Sequence, residues 1–210
     1  MADDTTSMAL RYVALGDSYT IGTSVPPADR WPDRLAASLT TWTPPVRLDL
    51  VANLGVNGYT SADLIRQELP AVAAHAPGFV SVLIGVNDVV QGVPDHVYAR
   101  NAAAILDALL AIVRARRMVV VSIPDYTVTP SGADYGDPDR QRDGIVRNNA
   151  TMARLADQRG IALVDVFELS RRAASARTLV AADGLHPSGA QYELWVERIA
   201  PIVHELITGE

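Results

Sequence analysis

The sequence predicts an α/β protein with a five-stranded parallel sheet and helices on both faces. Three observations predict it. Runs of strand length that are apolar almost throughout alternate with longer segments of helical period, as expected of strands buried on both faces and joined by crossover helices. No repeat at a fixed spacing and no low-complexity stretch interrupts that alternation. At 210 residues and 49% hydrophobic, the chain is large enough for one well-buried domain and only a modest candidate for two. Residues 1–210 are therefore expected to form one domain, with residues 1–8 flexible.

The strands are expected over residues 10–15, 48–52, 79–84, 118–123 and 161–166. Helical period appears over 30–39, 61–75, 94–116, 145–158 and 187–207. In the third of these, Ala103, Leu106, Leu110 and Val113 recur at three and four residues, a stripe that packs on a sheet. The one long irregular piece is 124–144, PDYTVTPSGADYGDPDRQRDG, whose proline, glycine and aspartate content argues against a regular element. A loop of that length is expected to be functional or mobile, here on the substrate side.

Composition removes several functions. The formal net charge is −6 and the 18 basic residues are all scattered arginines, which leaves no basic stripe for phosphates and predicts no nucleic-acid partner. The absence of cysteine excludes disulfides, thiolate metal sites and a cysteine nucleophile. The start, MADDTTSMALRYVAL, has neither a basic n-region nor a long apolar stretch before a small-residue cleavage site, so a cytoplasmic protein is expected. Arginines and acids break every apolar run before membrane-spanning length, so no span is expected.

In an open parallel sheet, ligands bind beyond the carboxyl ends of the strands, so chemistry is sought just after each strand. After the first comes Gly16-Asp17-Ser18-Tyr19-Thr20-Ile21-Gly22, which puts Ser18 at a strand-to-helix turn, a position suited to a nucleophile or equally to a helix cap. Three motif readings fail here. A nucleophile elbow needs glycine where Thr20 stands, a phosphate-cradling loop needs a lysine the chain lacks, and a D-x-D-x-T phosphatase needs an acid where Tyr19 stands.

After the second strand, Asn53-Leu54-Gly55-Val56-Asn57-Gly58-Tyr59-Thr60-Ser61 leads into a helix, and Gly58 is either an N–H donor to an anion or a turn glycine. After the third, Gly85-Val86-Asn87-Asp88 offers the Asn87 amide or a turn asparagine. Near the C-terminus, Asp183-Gly184-Leu185-His186-Pro187 sets a carboxylate three residues before a histidine that proline keeps out of helical conformation. That carboxylate is able to hold imidazole Nδ1 and leave Nε2 as a base, or to form an Asx turn beside a surface histidine. His75, His96 and His204 lie on helical segments and are expected to be solvated or at helix ends.

Together these blocks resemble the SGNH hydrolases, also called GDSL esterases and lipases: Gly16-Asp17-Ser18 with Gly22, Asn53-x-Gly55-x-x-Gly58, Gly85-x-Asn87-Asp88 and Asp183-x-x-His186-Pro187, in the family's order. The resemblance implies a three-layer α/β/α, flavodoxin-like SGNH hydrolase domain. It implies Ser18 as nucleophile, Asp183 and His186 as its triad partners, and the Ser18 N–H, Gly58 N–H and Asn87 amide as an oxyanion hole. Tyr19 departs from the leucine of the family name, at a position that tolerates substitution. The loop over 124–144 matches no family block.

The expected activity is a serine esterase for small carboxylic esters, of short acyl or acetyl groups. A lysophospholipase, thioesterase or acyltransferase using the same acyl-enzyme is the alternative. Tyr19, Tyr59 and Tyr126 are candidate substrate contacts, whereas Trp31 is expected to pack at the start of its helix. No cofactor and no metal are expected, because Asp183 and His186 have no third or fourth ligand at suitable spacing.

Overall fold

A computed structural model describes residues 9–209, so the expected flexibility of residues 1–8 lies outside the described residues. In chain order the elements begin with β1 (Leu10–Gly16), α1 (Ser18–Ile21), α2 (Trp31–Leu39) and β2 (Leu48–Asn53). A compound helix follows, α3 (Ser61–Asp63), a π-turn over Leu64–Glu68 and α4 (Leu69–Val72). Next come β3 (Phe79–Leu83), α5 (Val86–Val90), α6 (Asp95–Leu110) and β4 (Met118–Val121). The chain closes with α7 (Pro138–Asp157), β5 (Ala162–Val164), α8 (Phe167–Ser170) and α9 (Gly189–Thr208).

The five strands form one parallel sheet flanked by helices, as the alternation in the sequence predicts, and their order is β2-β1-β3-β4-β5. Alternate strand residues feed two separate cores because successive side chains point to opposite faces. Tyr12, Ala14, Phe79, Leu83, Val119 and Val121 pack with Leu35 of α2 and Tyr192, Trp195 and Ile199 of α9. Val13, Leu15, Val80, Val82 and Val120 pack with Leu64, with Tyr98, Ile105 and Leu106 of α6, and with Met152 and Leu155 of α7. β1 therefore lies between two apolar layers, and the residue that leaves its end is rigidly held.

The 124–144 segment corrects one expectation. It contains 3₁₀ turns over Tyr126–Val128 and Gly132–Tyr135, and its last seven residues are already helix, because α7 starts at Pro138. The Asp137 side chain accepts the Arg140 N–H as N-cap and Pro138 takes the first helical position, where its missing N–H costs nothing. The residues that read as helix breakers are here a helix start. His204 is a second correction: it is buried, with Nε2 at 2.8 Å from the Pro44 carbonyl and its ring 5.1 Å from that of Trp42. Trp31 is fully buried in the α2–α9 core. Among the described residues no helix is long and apolar enough to cross a membrane.

Candidate active site

A cleft of about 280 Å³ opens beyond the carboxyl ends of the strands, and five separate segments contribute to it. Ser18, Gly58, Asn87 and His186 all line it. Ser18 is the first residue of α1, directly after the turn in which Asp17 caps the Tyr19 N–H at 3.0 Å. Its hydroxyl has no hydrogen-bond partner among the described residues, and neither do the N–H groups of Ser18 and Gly58. Helix starts and turns leave such donors free.

Asn87 lies in the first turn of α5 and donates one amide hydrogen to the Tyr59 carbonyl at 2.9 Å, which fixes the plane of the group and leaves its second hydrogen for the cleft. Tyr59 does not line the cleft; its carbonyl is what positions Asn87. Gly58, at φ +81°, sits where a side chain would be strained although nothing lies within 4 Å of the space a Cβ would fill.

On the opposite wall, His186 Nδ1 lies 2.6 Å from Asp183 Oδ2. Asp183 Oδ1 accepts the N–H groups of Leu185 and His186, and Oδ2 also accepts the Ser24 hydroxyl at 2.6 Å. Partial burial pushes the Asp183 carboxyl up, but the bonds from Ser24, the Leu185 N–H and His186 outweigh it and hold the group well below the usual carboxylate range. An ionised Asp183 only accepts, so Nδ1 carries the proton, and in the neutral imidazole the lone pair is on Nε2.

The loops are pinned to one another. Asn53 donates to the Thr20 carbonyl at 2.8 Å, Thr23 donates to Asn57 Oδ1, and Asp88 accepts the Ser61 N–H at 2.8 Å. The Tyr192 hydroxyl donates to the Tyr19 carbonyl at 3.0 Å. Such cross-bracing fixes donors before any ligand arrives.

Apolar walls come from Val86, Val90 and Leu185, with Tyr19, Tyr126 and Tyr135 around them. Tyr19 is 3% exposed, its ring 5.6 Å from that of His186. Tyr126 and Tyr135 meet edge to face at 5.9 Å, and both come from the 124–144 segment. Tyr135 and Ser24 have no motif that marks them in the sequence. Among the described residues no group of three or more histidines and acids is placed to hold a metal.

Two further acids lie beneath the site. Asp17 is fully buried, and burial pushes its carboxyl up to about 8 despite the bond from the Tyr19 N–H. Glu68, 3% exposed, accepts the Gly16 N–H at 2.9 Å; burial pushes it up to about 9, and neighbouring Asp17 adds to the shift. A carboxyl raised in the folded state binds protons more tightly there than in the unfolded chain, where it titrates near ~4. Its contribution is therefore complete below that value and is lost as pH rises through 8 to 9. Urea unfolding is expected to give a stability that declines from about pH 5 to pH 9, with a shallower decline in Glu68→Gln. A stability that climbs over that range contradicts neutral burial.

Fold and sequence together put the molecule among the carboxylic ester hydrolases. Within that class the chain belongs to the GDSL-like lipase/acylhydrolase family, whose model matches residues 14–194. Similar solved structures include TesA (TM-score 0.73, 21% identity, covering 93% of this chain and 99% of that one). Another is LAE5, an alpha/beta hydrolase enzyme from the metagenome of Lake Arreo, Spain (0.71, 21%, 94% and 96%). A third is Axe2, an acetylxylan esterase from Geobacillus stearothermophilus (0.71, 18%, 92% and 94%). At these identities the likeness concerns the fold. None of the curated proteins matches the chain in sequence.

Proposed function

We propose that the protein is a serine esterase of small carboxylic esters, with Ser18 as nucleophile, His186 as general base and acid, and Asp183 as the group that orients and steadies the imidazole. The observation that carries this reading is the meeting, on one cleft, of an unpartnered hydroxyl, an imidazole held through Nδ1 and free N–H donors. Ser18 Oγ attacks the ester carbonyl while its proton passes to His186 Nε2. The carbonyl oxygen takes up negative charge against the N–H groups of Ser18 and Gly58 and the Asn87 amide. His186 then protonates the leaving alcohol, and water activated by the same nitrogen releases the acid from Ser18.

The cleft volume, at the small end of ligand sites, and its valine and leucine walls favour acetyl and short acyl groups. That one structural neighbour is an acetylxylan esterase agrees with such a substrate. An acyltransferase would use the same acyl-enzyme with an alcohol in place of water. The test is turnover of p-nitrophenyl acetate, butyrate and octanoate in EDTA, with and without an added alcohol. Rates that fall with chain length, and free acid as product, support the esterase. A transferred acyl group as main product points to the transferase, and no turnover of any ester removes the proposal.

Asn87→Ala is expected to lower kcat ~10²- to ~10³-fold, with KM little changed, because the lost donor acts chiefly on the charged intermediate. Steady-state kinetics on the acetate ester measure it. A change confined to KM removes Asn87 from the oxyanion hole.

A further inference from the structure

The π-turn over Leu64–Glu68 carries a charged-type residue into the core directly beneath the Ser18 turn. Pro70 explains the widened turn: it has no N–H to give back to the helix, and its ring crowds the carbonyl four residues earlier. π-turns inside helices are retained chiefly where a side chain must be aimed. Here that side chain is Glu68, whose Oε2 takes the Gly16 N–H at 2.9 Å.

The surroundings argue for the acid form. Glu68 Oε1 and Asp17 Oδ2 are both buried without a hydrogen-bond partner among the described residues. Facing Glu68 is Asp17, and facing Asp17 are Asp88 of α5 and Tyr98 of α6, with Asp63 beyond Asp88. Among the described residues no arginine or histidine faces Asp17, Glu68 or Asp88 to balance a second negative charge, and Arg66 pairs with Asp63 instead. A buried carboxyl with no cation takes a proton, because an unpaired charge costs several kcal/mol in such surroundings.

We propose that Glu68 is a positioning residue for the reaction at Ser18: as a neutral acid it holds the Gly16 N–H, fixes the Gly16–Ser18 turn, and places no negative charge beneath the oxyanion. It touches no substrate and acts through the turn. This inference rests on Ser18 being the nucleophile. Glutamine keeps an acceptor for Gly16 and the neutrality, whereas alanine loses the acceptor and leaves a cavity.

The experiment compares wild type, Glu68→Gln and Glu68→Ala in two assays. One is kcat and KM on p-nitrophenyl acetate from about pH 6 to 10; the other is the rate at which a fluorophosphonate labels Ser18, read by intact mass. Thermal melts of each variant report the folded fraction. Glu68→Gln is expected to stay within about threefold of wild type near neutral pH, and Glu68→Ala to lose at least ~10-fold in kcat and labelling rate with KM within about twofold. Above about pH 9 wild type is expected to lose kcat as Glu68 ionises, and Glu68→Gln, in which only Asp17 is left to ionise, is expected to lose less.

Equal rates in all three proteins, or the same alkaline loss in Glu68→Gln, overturn the positioning role. So does a Glu68→Ala deficit that merely follows its unfolded fraction. If the alanine variant does not fold, the alkaline profile of Glu68→Gln decides. If wild type hydrolyses no ester, labelling decides: labelled Ser18 with unaffected variants overturns this inference and keeps Ser18 as the nucleophile, and unlabelled Ser18 overturns the nucleophile assignment along with it.

Discussion

Ser18→Ala is expected to lower kcat for ester hydrolysis by ~10⁴-fold or more while leaving the melting temperature within about 1 °C. The hydroxyl makes no hydrogen bond that the fold would lose, and the residue is small and lies at the cleft rather than in either core. Removing it deletes the atom proposed to form the acyl-enzyme, yet His186, Asp183 and the N–H donors remain, so a residual rate above that of water is expected. The comparison is made on the acetate ester at matched folded concentration. A variant that keeps more than about a tenth of the wild-type rate sinks the nucleophile assignment, because a side chain that only caps α1 has no such leverage on kcat.

Gly16→Ala is expected to do the reverse and act through the fold. A Cβ at Gly16 would lie 2.1 Å from the Leu83 carbonyl oxygen and 2.4 Å from Thr20 Oγ1, and the residue holds φ +148°. The carbonyl belongs to β3 at the centre of the sheet and has no room to retreat, so backbone strain and overlap add. A loss of at least ~3 kcal/mol is expected, about 10 °C in Tm for a chain of this size. Gly58→Ala is the contrast, since its Cβ would meet nothing within 4 Å and only the positive φ is paid, on the order of 1 kcal/mol. Equal melting temperatures for the two variants contradict the crowding at Gly16.

Much of the architecture is legible in the chain. All five strands lie where apolar runs of strand length occur, from 10–15 to 161–166, most plainly at β3 and β4, because a strand buried on both faces has nowhere for polar side chains. The turn residues that follow β1, β2 and β3 are legible for the same local reason. Where local reading erred, it erred at residues with two uses. Pro138 and Asp137 break a helix in its interior but start one at its N-terminus, and the packing of α7 against α6, α5 and β5, together with the Asp137 cap, selects the second use.

What the sequence by itself determined was the alternation of strands and helices, the family, and which residue types stand at each strand end. Those depend on side-chain periodicity and turn chemistry, which act over a few residues. Tertiary structure alone decided the strand order, the bond from Ser24 to Asp183 across 159 positions, the reach of Glu68 to Gly16 across 52, and the joining of Tyr135 to the cleft wall. Hydrogen bonds and burial of that kind form only when distant segments are brought together, so their energy, and the protonation states that follow from it, belong to the folded chain and to no stretch of it.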